Sequence, residues 1–138
     1  MALRKNAKVE LIKKVPLFAR CSKRELAAIA AEADELALPS GRRLTTQGEP
    51  GSEFVIILDG TAEVQKNGRR INQLGPGDFL GEIALISGAP RTATVTTTSD
   101  ARLLVLTDRG FKRLTRDTPS IQASVLRALS ERLQADAL

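Results

Sequence analysis

The chain of 138 residues carries 21 Lys and Arg against 16 Asp and Glu, a formal charge of +5, and is 42% hydrophobic; this length and balance fit one soluble globular domain with one core. It holds no His and one cysteine, Cys21, which excludes imidazole metal sites, His-based catalysis, an intramolecular disulfide and multi-Cys zinc or iron–sulfur centres. No apolar run approaches the roughly 20 residues of a membrane span and the opening Met-Ala-Leu-Arg-Lys-Asn lacks a signal core, so a cytoplasmic location is expected.

In chain order the ends read as helix and the middle as sheet. Val9, Leu11, Ile12 and Val15 predict a short amphipathic helix interrupted by Pro16. Ser22-Lys23-Arg24-Glu25 has the form of a capping box, opening a helix from about Lys23 to Asp34 with Leu26, Ile29, Ala30 and Ala33 on one face. The N-terminal helices together are expected over about residues 8 to 36, ending before Pro39-Ser40-Gly41.

An all-β sandwich or barrel is expected over about residues 42 to 106, because turn residues cut this stretch into short segments. Gly48-Glu49-Pro50-Gly51, Asp59-Gly60, Asn67-Gly68 and Gly75-Pro76-Gly77-Asp78 separate runs such as Phe54-Val55-Ile56-Ile57-Leu58 and Ala62-Glu63-Val64. Asn67-Gly68 is the clearest hairpin signal, since a tight primed turn needs positive φ at both central residues. Val95 to Thr98 and Arg102 to Leu106 complete the sheet.

C-terminal helices are expected over about residues 108 to 136. Thr107-Asp108 starts one carrying Phe111 and Leu114, and Thr118-Pro119 places an N-cap before a proline at the first helical position. Ile121, Val125, Leu129 and Leu133 then form an apolar stripe that either packs on its own domain or pairs with a second copy of the chain.

The basic excess is scattered and densest in the first 24 residues, where it reads as a solvated helix face. With Phe18, Phe54, Phe79 and Phe111 the only aromatic residues, stacking platforms for bases are nearly absent, and no direct nucleic-acid binding is expected. Cys21, with no resolving partner, is a poor thiol sensor.

The densest chemistry lies between residues 75 and 95. Glu82 offers two acceptors and Arg91, nine positions on, a planar fork of donors; Gly81, Ala84, Gly88 and Ala93 are small enough to let backbone amides approach a ligand. A sugar phosphate would use all of these. The bland alternative is an ion pair between Glu82 and Arg91 in an empty loop.

Phe79-Leu80-Gly81-Glu82-Ile83-Ala84-Leu85, followed after a short helical turn by Pro90-Arg91-Thr92-Ala93-Thr94, resembles the phosphate-binding cassette of cyclic nucleotide-binding domains. The resemblance extends upstream through Gly41, Gln47-Gly48-Glu49, Phe54-Val55-Ile56 and Asp59-Gly60, and covers about Leu17 to Leu133. It implies a mainly β, α+β fold: an eight-stranded, jelly-roll-like double-stranded β-helix flanked by helices at both ends, with residues 1 to 138 as one domain. It further implies that Gly81, Glu82, Ile83, Ala84, Arg91, Thr92 and Ala93 bind the ligand. In these roles Glu82 accepts the ribose 2′-hydroxyl, Gly81 permits close approach, Arg91 holds the cyclic phosphate, and the amides of Ala84 and Thr92 donate.

The resemblance favours cyclic AMP, with cyclic GMP close behind because Thr92 carries a hydroxyl beside the phosphate arginine. Val64 and Leu80 are candidate walls of the base pocket and equally ordinary core. No Tyr or Trp exists to cap the base, so Leu129, Leu133, Arg127 and Arg132 are the lid candidates, against a core role for the leucines. The expected function is a non-enzymatic sensor with no cofactor that signals by movement of the C-terminal helix to a protein effector or a missing output domain. The alternatives are a nucleotide-free interaction or dimerisation module, and the sensor part of a transcription regulator.

Overall fold

In the computed structural model of the chain, residues 4 to 137 are described, with Lys5, Ala84 and residues 132 to 137 described by backbone alone. The first elements are α1 (Lys5–Lys13), a 3-10 turn (Pro16–Phe18), α2 (Lys23–Glu32), β1 (Asp34–Leu38), β2 (Arg43–Thr45), β3 (Glu53–Asp59), β4 (Ala62–Lys66) and β5 (Arg69–Leu74). After them come β6 (Phe79–Leu80), α3 (Ala84–Ser87), β7 (Thr94–Thr97), β8 (Ala101–Thr107), α4 (Asp108–Asp117) and α5 (Pro119–Ala137). They form two compact units, Met1–Ala33 with Arg109–Leu138, and Asp34–Asp108.

In the helical unit the capping box forms as its spacing predicts. The Glu25 amide donates to Ser22 Oγ at 3.1 Å, and the Ser22 amide donates to Glu25 Oε1 at 2.7 Å. Glu25 is also one of the few buried charges, and Ser124 Oγ of α5 donates to its carboxylate at 3.0 Å. Burial pushes the Glu25 carboxyl up, but the hydrogen bonds from Ser22, Ser120 and Ser124 outweigh it and hold the group below its ordinary range. Leu17, Phe18, Leu26, Ile29, Phe111 and Ile121 are buried, and the Phe18 and Phe111 rings lie 6.2 Å apart in a tilted pair. Burial, reinforced by the Glu25 charge, pushes the Cys21 thiol up to about 12.

The second unit is two four-stranded sheets, ordered β1-β8-β3-β6 and β2-β7-β4-β5. All pairings are antiparallel. Val55, Ile57 and Leu103 of one sheet pack with Ala62 and Val95 of the other, and Leu38, Leu44, Val64, Leu74 and Leu80 extend that core. The expected β-roll with helices at both ends is the fold observed. The Asn67-Gly68 turn joins β4 to β5 with φ of 54° and 78°, as a primed turn demands. At the edge of its sheet, β5 exposes Arg69, Arg70 and Ile71.

The helical expectation over residues 8 to 36 fails at its end. Ala33 turns to ψ 135° and Asp34–Leu38 is a strand, paired residue for residue with Ala101–Val105 of β8. Ala, Glu and Leu favour helix intrinsically, but a five-residue ladder against a buried central strand decides the conformation.

Candidate functional site

The sheet unit holds a cavity of about 440 Å³. Its apolar lining is Val64, Leu74, Phe79, Leu80, Ile83, Ala89, Pro90, Ala93 and Val95; Thr45, Gly81, Glu82, Arg91 and Thr92 complete it.

β6 brings the first half of the site into place. Its pairing with β3, Val55 to Leu80 and Ile56 to Phe79, delivers Gly81 next to the Glu53 carbonyl. Gly81 has φ +82°, and a Cβ there would collide with both Arg91 Nη1 and the Glu53 carbonyl oxygen. A side chain at this position meets a conformational and a steric obstacle together. Glu82 follows, 8% exposed. The chain then winds into α3, with the Leu85 amide donating to the Glu82 carbonyl at 3.2 Å and the Ser87 amide to the Ile83 carbonyl at 3.0 Å.

Arg91 arrives from the loop after α3. Its Nη2 donates to the Glu53 carbonyl at 2.6 Å, and a Cβ placed on Gly51 would collide with its Nε. The guanidinium therefore lies between two glycines, Gly51 and Gly81, each of which leaves the room a side chain would fill. Burial lowers the affinity of Arg91 for its proton and the Glu53 charge works the other way; a guanidinium stays charged at any physiological pH.

The main chain around Arg91 is held by residues 45 to 49. The Gly48 amide donates to the Arg91 carbonyl at 2.8 Å and the Arg91 amide to the Glu49 carbonyl at 2.9 Å. Further along, threonine hydroxyls join the ladder where the β2–β7 register shifts. Thr45 Oγ1 donates to the Ala93 carbonyl at 2.9 Å and accepts from the Val95 amide at 3.1 Å, and the Gln47 amide donates to Thr94 Oγ1 at 3.0 Å.

Of the residues the sequence singles out, Gly81, Glu82, Ile83, Arg91, Thr92, Ala93, Val64 and Leu80 share the cavity wall. Val64 and Leu80 also pack on the sheet core, so both readings of them hold at once. Ala84 opens α3, with its side chain outside the described residues. Leu129 and the exposed Arg127 lie on α5 in the helical unit, while the side chains of Leu133 and Arg132 are outside the described residues.

Sequence reasoning misses Gly51 and Glu53 as supports of Arg91, and Thr45, Leu74 and Val95 as lining. The turn signal at Gly48-Glu49-Pro50-Gly51 marks a loop but cannot say which side chain crosses it. A buried carboxylate, a sandwiched guanidinium and an apolar wall suit a ligand that joins an anion and a hydroxyl to a flat apolar body.

The profile of the cyclic nucleotide-binding domain family matches residues 35–118, and the chain belongs to that family. Over 109 residues it is 44% identical to the cAMP-dependent protein kinase regulatory subunit of Mycosarcoma maydis, covering 72% of this chain and 21% of that protein. Over 128 residues it is 34% identical to a cyclic nucleotide-gated potassium channel of Mesorhizobium japonicum, covering 93% of this chain and 36% of the channel. Among solved structures, the N-terminal domain of a transcriptional regulator from Streptomyces coelicolor superposes with a TM-score of 0.82 at 27% identity, covering 91% of this chain and 94% of that one. The chain spans 21% to 36% of the length of the curated relatives it matches. These relatives are regulatory or nucleotide-binding proteins, and among the described residues no helix is long and apolar enough to cross a membrane.

Proposed function

We propose that the 440 Å³ cavity of the sheet unit binds a cyclic nucleotide and that the chain acts as a cytoplasmic sensor rather than an enzyme. The observation that carries this reading is the Arg91 guanidinium, aligned by the Glu53 carbonyl between Gly51 and Gly81 on the wall of a largely apolar cavity. Arg91 binds the cyclic phosphate through its fork, Glu82 accepts the ribose 2′-hydroxyl, and the amides beside Ala84 and Thr92 add donors. The first amides of a helical turn such as α3 have no partner within the helix, which suits them to that task. The apolar wall takes the purine.

Cyclic AMP is the ligand we assign, supported by the similarity to a cAMP-dependent kinase regulatory subunit. Thr92 adds one neutral hydroxyl, and a neutral hydrogen bond contributes only about 0.5–1.5 kcal/mol, so cyclic GMP binds within reach of it. Binding of nucleotide alters α5, and an effector protein or an output domain reads that change; a ligand shifts such an equilibrium only as far as it prefers one state.

The test is thermal unfolding by circular dichroism with cyclic AMP, cyclic GMP or linear AMP, on wild type and Arg91→Ala. At 100 times its dissociation constant a ligand stabilises by about 2.7 kcal/mol, a shift of several degrees for a domain of this size. The reading stands if a cyclic nucleotide raises the midpoint, linear AMP does not, and Arg91→Ala removes the effect. If no nucleotide moves it, the fold serves as an interaction module and the sensor reading falls.

A further inference from the structure

The loop that carries Arg91 is held by a neighbour, which is itself clipped to a distant turn. Gln47 Nε2 donates to Asn67 Oδ1 at 2.9 Å, and the Asn67 amide donates to Gln47 Oε1 at 2.8 Å, a closed two-point pair across 20 positions of chain. The backbone amide can only donate, which fixes Oε1 as the acceptor and so the orientation of the whole Gln47 carboxamide. Asn67 sits at φ 54° in the β4–β5 turn, a conformation Asn adopts more readily than most residues. The Gln47 amide donates to Thr94 Oγ1, and the next amide, that of Gly48, donates to the Arg91 carbonyl. One residue thus touches the hairpin tip with its side chain and the arginine-bearing segment with its backbone.

We infer that Gln47 is a positioning residue for Arg91, and that the Asn67–Gly68 tip sets the grip of the phosphate site through it. The inference rests on the cyclic-nucleotide reading of the cavity for its ligand, but not for its geometry. The guanidinium has little lateral freedom between Gly51 and Gly81, so a small displacement of the Arg91 backbone either withdraws its fork from the cavity or drives it against a glycine. Residues 47 to 49 set that backbone position. Placing the clip on the hairpin tip lets a partner or a modification there change nucleotide affinity without touching the cavity.

Amide hydrogen exchange on the free chain tests this without any ligand. Gln47→Ala should speed exchange of the Arg91 and Gly48 amides by about threefold to tenfold, the effect of losing one or two neutral hydrogen bonds. The Ile56 and Leu104 amides, in the centre of the other sheet, should be unaffected. Cyclic AMP affinity should fall by a similar factor in Gln47→Ala, and Gln47→Ala should cost nothing further in an Arg91→Ala background.

Gln47→Glu should restore most of the affinity, because Asn67 can turn its amide group to face a carboxylate. The double variant Gln47→Glu with Asn67→Asp, which opposes two carboxylates, should lose it again at neutral pH. Unchanged exchange at Arg91 and Gly48 in Gln47→Ala overturns the inference, as does faster exchange with cyclic AMP affinity untouched. If wild type binds neither cyclic AMP nor cyclic GMP, the proposed function fails, and the exchange result alone decides whether Gln47 positions Arg91.

Discussion

Arg91 Nη2 and the Glu53 carbonyl, 38 positions apart in sequence, lie 2.6 Å from each other. Strand β3 opens with Glu53, which pairs with Thr107 of β8, so the sheet ladder sets the place of that carbonyl. One of the five N–H donors of the guanidinium is spent on it. That bond orients the plane of the fork before any ligand arrives, so the cost of arranging the side chain is met in the folded chain rather than on binding.

Arg91→Lys should bind cyclic AMP nearly as poorly as Arg91→Ala, about tenfold to a hundredfold below wild type by the strength of a charge-assisted hydrogen bond. An ammonium keeps the charge but cannot hold the Glu53 carbonyl and a phosphate in one plane. Titration with a fluorescent cyclic nucleotide reads this, and a lysine variant with near-native affinity would show that charge alone suffices.

The two glycines flanking Arg91 should respond differently to alanine. Gly81→Ala forces a side chain into a left-handed backbone and against the Glu53 carbonyl, costing about 1–2 kcal/mol from conformation alone and lowering the unfolding midpoint by several degrees. Gly51→Ala meets the Arg91 side chain first rather than backbone, so it should destabilise less than Gly81→Ala while nucleotide affinity drops. Melting and binding measured side by side on both variants separate the two effects.

Glu25 makes the helical unit sensitive to acid. Its carboxyl is held below the ordinary range in the folded chain, so its contribution is complete above the unfolded value of about 4.3 and is lost as pH falls through the lower folded value. Glu25→Gln should therefore be less stable than wild type at neutral pH, and the gap should narrow as the pH is taken down through that window. Urea unfolding at a series of pH values measures it; a gap independent of pH would assign the effect to the capping geometry alone.

Cys21 should be slow toward thiol reagents. With its thiol pushed up to about 12, the thiolate fraction at neutral pH falls by roughly three orders of magnitude from that of a free cysteine near 8.5. Modification by a thiol-reactive disulfide should run at least about a hundredfold slower in the native chain than in the unfolded one. Equal rates would mean that the native thiol is neither shielded nor shifted from that of a free cysteine.

Much of the architecture is legible in the residues because its signals are local. Ser22 to Glu25 caps a helix, Asn67-Gly68 turns a hairpin, and Thr118-Pro119 begins α5, each through contacts within a few positions. Strand β1 is illegible for the opposite reason: Asp34–Leu38 is extended only because β8, more than 60 residues later, pairs with it. In the candidate site the charged pair Glu82 and Arg91 and the small residues around it stand out by type. Gly51 does not, since its requirement comes from a guanidinium 40 positions away. Thr45 is equally silent, because its hydroxyl substitutes for a backbone partner at a register shift that appears only once β2 and β7 meet.

The open edge at β5 bears on how the chain behaves in concentrated solution. A bare edge strand is a template onto which another molecule can add, and Ile71, 58% exposed, would make that addition sticky. Arg69 and Arg70 stand immediately before it, and the partner strand is irregular between Val64 and Gln65. Two like chains approaching edge to edge would bring guanidinium groups together along a ladder that is already out of step. Replacing that arginine pair with threonines would leave the fold its strands and remove the charge that discourages it from forming fibres.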